Sequence, residues 1–230
     1  MFHVKHKGEN MKARTVLIWT IVLALAALAL GLILEPRFAD PMAIHWNERG
    51  EADGYGSRFM GLWFLPLMTI GLTLLLLGIP QIDPLKKNIF KFRKEYNTFI
   101  LLFVIFFFYL HVISLLFNLG LRFNMFALMI PAFGVFFYYI GVMMEKAKRN
   151  YFIGIRTPWT LADDEVWAET HRVGAKGFKI SGVLTLVGVV FPSIAIWAMM
   201  APLLAVSVFT VVYSYVAYRR KHPNMNGNEK

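Results

Sequence analysis

Residues 16–34 read VLIWTIVLALAALALGLIL, nineteen positions without a charge. As an α-helix such a run extends about 28 Å, close to the roughly 30 Å hydrocarbon core of a bilayer. It reads as a spanning helix. The small-x-small triplet Ala27-Leu28-Ala29 raises the alternative of a cleaved signal peptide, but five more apolar residues follow it, and an uncleaved anchor fits better.

Working outward, apolar runs recur at 59–79, 99–117, 125–144, 180–197 and 202–218. Each is long enough, or nearly so, to cross, which predicts six spans. Only residues 198–201 separate the last two, so a re-entrant pair or one bent helix fits that length as well. With 57% hydrophobic, 16% aromatic and 17% charged residues among 230, the composition is far from that of a soluble chain. The expected fold class is all-α, a polytopic integral membrane protein with six transmembrane helices. The absence of cysteine excludes disulfides, thiolate metal sites and a cysteine nucleophile.

A formal charge of +10 raises nucleic-acid binding, and the position of the charges decides against it. Lysine and arginine number four before the first span, five at 80–98, seven at 145–179 and four after the last span. The alternate connectors hold three, one and none. This asymmetry predicts both termini in the cytoplasm of a cell whose plasma membrane holds the chain. It accounts for the net charge without nucleic acid, and the basic connectors suit anionic membrane lipids. The expected organisation is a cytoplasmic N-terminal tail at 1–15, an N-terminal membrane region at 16–98 and a second membrane region at 99–230. The first region carries two spans and an outer loop at 35–58; the second carries four spans and an inner connector at 145–179. Residues 1–10 have no apolar period and read as a tag-like extension.

His111 is the one ionisable side chain well inside a predicted span. A proton path needs partners, and the other spans offer none, so a neutral imidazole bonded to a neighbouring carbonyl or to Ser114 is expected. Pro66, Pro131 and Pro192 are expected to kink their spans. The outer loop, EPRFADPMAIHWNERGEADGYGSR, has five acids, three arginines and many turn formers, and reads as a polar loop rather than a domain. Two readings compete there. His45, Glu48 and Asp53 hold a cation or external ligand beside Trp46, or Asn47, Gly50 and Asp53-Gly54 simply make turns. The spacing follows no metal-ligand rule, so neither a metal nor a cofactor is expected.

The inner connector contains NYFIGIRTPWTLADDEVWAETHRVG at 150–174. Thr157-Pro158 disfavours helix at Thr157, and Thr160 with Asp163 three residues on predicts a capped start near Leu161. Val166, Trp167, Thr170, Val173 and Gly174 then share one face, with Glu165, Glu169, Arg172, Lys176 and Lys179 opposite. This predicts a short cytoplasmic amphipathic helix leading into the fifth span, at the membrane surface or docked on the ends of the spans. His171 falls near Asp164 on that helix, but two ligands without a third make no site. Arg156 suits a partner's carboxylate or a lipid phosphate, and a solvated arginine fits equally.

At Asn150, at Gly154-Ile155-Arg156-Thr157-Pro158-Trp159-Thr160-Leu161, at Trp167 and at Thr170-His171-Arg172, the sequence resembles the bacterial SdpI family of integral membrane proteins. Residues 41–54, with His45, Trp46, Asn47, Gly50, Asp53 and Gly54, resemble the domain of unknown function that commonly precedes it. The resemblance implies a six-span immunity protein that protects its cell from a secreted sporulation-delaying peptide toxin. In the best-understood case such a protein also recruits a small transcriptional repressor to the membrane. It implies binding rather than enzymatic action, with the inner motif serving a partner or the structure and the outer segment meeting a ligand. The rivals are a small-solute or proton-coupled transporter or channel using His111, Tyr109 and Asn118, and a membrane enzyme using His171 with Asp163 or Asp164.

Trp167→Asp is expected to reduce membrane accumulation and protease resistance, because it places a charge on the packed face of the helix. Unchanged protease resistance at normal abundance would remove that face from the interior.

Overall fold

The computed structural model describes residues 13–223. The extension expected at 1–10, most of the tail at 1–15 and the final basic residue Lys230 lie outside the described residues. The elements run α1 (Ala13–Leu34), β1 (Met42–Trp46), β2 (Ala52–Gly56), α2 (Leu65–Ile82), α3 (Lys86–Lys91) and α4 (Arg93–Asn118). They continue with α5 (Met125–Lys146), α6 (Pro158–Ala162), α7 (Asp164–Thr185), α8 (Val187–Val190) and α9 (Ala195–Lys221).

Among the described residues six helical stretches are long and apolar enough to cross a membrane: Arg14–Arg37, Met60–Ile82, Arg93–Asn118, Met125–Lys146, Asp164–Val190 and Pro192–Lys221. The protein is therefore a helical, multi-pass membrane protein. Helices α1, α2 and α4 pack as one group and α5, α7 and α9 as another, joined through α4 and α5. That joint is aromatic. Phe99 stacks on Phe136 with centroids 5.6 Å apart, and Phe106 meets Phe136 at 5.0 Å and Phe133 at 5.1 Å. Near the end that carries the basic connectors, expected to face the cytoplasm and called inner for that reason, Ile89, Phe92, Tyr96 and Ile100 bury against Val16, Ile79 and Met143. The Tyr96 hydroxyl donates to the Leu76 carbonyl at 2.6 Å, so this core also ties α4 to α2.

The last two spans differ from the expected boundaries. The break lies at Phe191-Pro192, not at residues 198–201, because proline has no N–H to give a helix and disfavours helical backbone in the residue before it. Ala198-Met199-Met200-Ala201 are good helix formers and continue α9. Pro131 lies inside α5, whereas Pro66 opens α2 directly after a π-turn at Met60–Phe64 and Pro192 ends a span instead of kinking one. The amphipathic segment is not a separate surface helix either. It forms the first turns of α7, continuous with the fifth span.

Small residues let α5 and α7 approach closely. A Cβ on Gly182 would meet the Gly134 carbonyl oxygen and the Tyr138 nitrogen, both at 2.6 Å, and one on Gly141 would meet the Ala175 carbonyl oxygen at 2.6 Å. Without a hydrophobic drive between helices in lipid, such approach supplies van der Waals contact. Hydroxyls within the spans turn back on their own helices: Ser181 to Gly177, Thr185 to Ser181 and Ser214 to Val211.

The outer loop is more ordered than a polar loop. Strands β1 and β2 form an antiparallel hairpin, the one sheet among the described residues, pairing Ala43 with Tyr55 and Trp46 with Ala52. Asn47 organises its turn, its side-chain oxygen accepting from the Arg49 and Glu51 amides at 2.9 and 3.0 Å. Gly50 takes φ +76°, a backbone that favours glycine.

Gly182→Val is expected to lower the thermal unfolding temperature of the purified protein, by about 1–3 kcal/mol of overpacking. Gly78→Ala, where an added Cβ meets nothing within 4 Å, should leave it equal or higher.

Candidate functional site

At the inner end the chain leaves α5 at Ala147 and must reach α7 through irregular backbone. Its amides need partners, and buried side chains supply them. Asn150 is fully buried and makes four hydrogen bonds. Its nitrogen donates to the Lys148 and Ile153 carbonyls at 2.8 and 2.9 Å, and its oxygen accepts from the Phe152 and Ile153 amides at 3.0 and 2.6 Å. Gly154 follows with φ +108°, where a Cβ would lie 2.3 Å from His171 Nε2.

His171 closes this turn onto α7. The Ile155 amide donates to its Nε2 at 3.0 Å, and Nδ1 lies 2.9 Å from the Trp167 carbonyl. Since Nε2 accepts, the proton sits on Nδ1 and the ring is neutral. The imidazole stacks on the Trp167 ring at 4.0 Å, and the indole N–H donates to the Ala147 carbonyl at 3.0 Å. The expected proximity to Asp164 is not used: the Asp164 Oδ1 lies 2.7 Å from Arg149 Nε, an ion pair without aligned hydrogen-bond geometry.

The predicted helix start also shifts. Thr157, not Thr160, caps α6, in a box in which the Thr157 hydroxyl accepts from the Thr160 amide and the Thr160 hydroxyl accepts from the Thr157 amide. Asp163 caps α7 by accepting from the Glu165 and Val166 amides at 2.7 and 3.0 Å. The Val166 amide above all holds the Asp163 carboxyl below its usual range. The Thr157 hydroxyl donates to Ser214 on α9 at 2.9 Å, and Trp159 meets Tyr215 edge-on at 5.1 Å. Pro158 begins α6; Thr170 is fully buried, and Arg172 is exposed. The Arg156 guanidinium donates to the Tyr151 carbonyl at 2.7 Å while remaining exposed.

Sequence reasoning missed several members of this cap. Asp83, 2% exposed, accepts from the Leu85 and Tyr151 amides at 2.6 and 2.9 Å, and Asn88 donates to the Arg149 carbonyl at 2.8 Å. The 80–98 connector is thereby part of the same unit. Glu165 and Glu169, placed on a polar face by their spacing, pair with Lys221, and Glu169 also meets Arg220 at 2.8 Å.

The outer segment divides. The His45 Nδ1 lies 2.6 Å from Asp53 Oδ1 across the strands, and a Cβ on Gly54 would meet His45 Cβ at 2.7 Å. Trp46 packs edge-on against Phe117 at 5.5 Å. The Asn118 side chain brackets Ala43, accepting from its amide at 2.8 Å and donating to its carbonyl at 3.0 Å. Asn124 donates to the Arg49 carbonyl at 2.8 Å and caps α5 through the Ala127 amide. The hairpin is thus fastened to both ends of the α4–α5 connection.

His111 departs from expectation. Its ring faces the Ala27 backbone, yet neither nitrogen reaches a partner at hydrogen-bond geometry, and Ser114 is not engaged. It lines a narrow apolar cavity between α1, α2 and α4. Tyr109 donates to the Leu128 carbonyl and Asn118 holds Ala43, so these three residues do not share one path. Among the described residues no three His, Asp or Glu side chains gather as metal ligands would.

Comparison with known proteins follows this division. Residues 146–214 match the SdpI/YfhL protein family, and residues 22–70 match a domain of unknown function, DUF1648. Over 204 residues the chain is 26% identical to the Immunity protein SdpI of Bacillus subtilis (strain 168), covering 87% of this chain and 95% of that protein. No solved structure matches.

His171→Phe should strand the Ile155 amide and lower stability by about 1–3 kcal/mol, with His171→Gln recovering part of it. Asn150→Ala, which removes four bonds, should cost on the order of 2–4 kcal/mol. Thermal unfolding in detergent reads both, and an unchanged transition for either would show that the cap does not hold the inner end together. Because folding depresses the Asp163 carboxyl, its contribution is present above its unfolded value of about 3.9 and disappears as pH falls through the folded one. Asp163→Asn should therefore flatten the acid limb of the stability profile.

Proposed function

From a multi-pass chain whose residues 146–214 match the SdpI/YfhL family, we propose a membrane immunity protein that protects its cell from a secreted peptide toxin. The observation that carries this reading is the match to an immunity protein along nearly the whole of both chains. The two-ended architecture suits the role: the outer hairpin and neighbouring helix ends meet the toxin, and both termini lie in the cytoplasm with the basic connectors against anionic lipid.

The action is binding rather than chemistry. His171 is neutral and committed to Ile155 and Trp167, Asp163 caps a helix, and Asp164 pairs with Arg149, which leaves none of the three poised toward a substrate. The inner motif divides by exposure. Asn150, Thr157, Thr160, Trp167, Thr170 and His171 are buried in the cap, while Gly154, Arg156 and Arg172 are exposed and Trp159 is half-buried. A signal relay that holds a small transcriptional repressor at the membrane would use that accessible set.

Expression in a sensitive bacterium should raise survival at least about tenfold against culture supernatant from a strain secreting a membrane-active peptide. Unchanged sensitivity to every such supernatant, at normal abundance, would reject the immunity reading. Arg156→Glu should leave protection intact and abolish co-purification of a repressor; loss of protection with retained abundance would place Arg156 in immunity itself.

A further inference from the structure

A cavity lies where the hairpin meets the helix ends. It is a crevice of about 1140 Å³, open mouth included, under β1 and between α2, α4, α5 and α9. Its walls are apolar and adaptable, with Met60, Met125, Met129 and Met199 beside Phe64 and Phe133. Methionine is unbranched and polarizable, and surfaces rich in it repack around varied apolar partners. Its polar members are His45, Trp46 and Ser114.

Across Phe126 the crevice adjoins a second cleft of about 830 Å³, mixed in polarity, formed where Gly188, Pro192 and Ser193 break the helix opposite Glu48, Arg49 and Asn124. The charges there are unequal. Arg49 is tied to Glu51 at 3.0 Å, and these two with Glu48 leave one negative charge in excess. Among the described residues Glu48 makes no ion pair of its own.

We propose that crevice and cleft form one two-part site for an apolar peptide segment that ends in a cationic group. The segment's side chains fill the methionine-lined crevice, and the cation meets Glu48. The excess negative charge selects against an anionic phospholipid head group, the other amphiphile within reach at this depth. The peptide partner rests on the immunity reading; the charge and shape of the site do not. The site also joins the hairpin to the span interiors, so one ligand touches both membrane regions.

The protein contains no cysteine, so single thiols report cleanly. Ile44→Cys places one at the crevice and Tyr55→Cys places one on β2 away from it. In phosphatidylcholine nanodiscs, N-ethylmaleimide labelling is followed while adding a synthetic leucine–alanine peptide with a C-terminal lysine pair, or the same peptide with a glutamate pair. The lysine peptide should slow labelling at position 44 several-fold and leave position 55 unchanged. The glutamate peptide should protect less, and Glu48→Gln should narrow the difference. Equal protection at both thiols, protection independent of peptide charge, or equal protection by dihexanoylphosphatidylcholine alone would overturn the proposal. Peptide protection without cellular immunity would reject the immunity reading and keep the site; cellular immunity undiminished by Met129→Trp would reject the site and keep the reading.

Discussion

The hydrogen bond from the Ile155 amide to His171 Nε2 fixes the inner end of the bundle. Accepting there forces the ring proton to Nδ1, which then donates to the Trp167 carbonyl one turn back on the same helix. That second bond lays the imidazole on the indole, and the indole N–H in turn reaches the Ala147 carbonyl where α5 ends. Four residues thus make a chain of contacts from the irregular turn, through α7, to α5. Gly154 belongs to it because no Cβ fits between the turn and the ring.

Neutral contacts occupy the centre of this cap and charges its edge, an order that desolvation explains. Asn150, Thr160 and His171 are buried and bonded as uncharged groups, whereas the Lys179–Glu145 and Arg220–Glu169 pairs sit near water. An ion taken fully into that interior would need compensation that a neutral amide or imidazole does not. The exposed pairs add little individually, but they set α7 against α5 and α9 from opposite sides. Asp83 is the exception, a carboxylate buried among the backbone amides it receives.

Much of this architecture was legible in the sequence because membrane spans are long and charge-poor, and those properties need no tertiary knowledge. The helix ends were less legible. Ala198-Met199-Met200-Ala201 looked like a connector only because two apolar runs flanked it, while the local rule that proline stops a helix pointed to Phe191-Pro192. The hairpin escaped because ADGYG has no apolar alternation and owes its pairing to anchors at Asn118 and Asn124, far away in sequence. Within the cap, the motif residues stood out as a group in the sequence, yet their bonds did not, since Asn150 acts on its own turn and His171 acts across sixteen positions. Asp83 and Asn88 gave no signal at all, being ordinary polar residues in a basic connector.

The two ends of the protein solve different problems with the same constraint. Backbone outside a helix must find partners, and at the inner end buried side chains meet that need until little space remains. At the outer end the hairpin pairs its own strands and needs only two asparagines to hold it, Asn118 at β1 and Asn124 at the turn. Its underside is left mostly apolar, and the helix break at Pro192 lies beside it. A filled inner cap and an open outer crevice follow from where backbone satisfaction comes from: long-range side chains in one case, a local sheet in the other. In the proposed reading the crevice under the hairpin takes the ligand, and the filled cap at the other end supplies the rigidity against which that ligand is held.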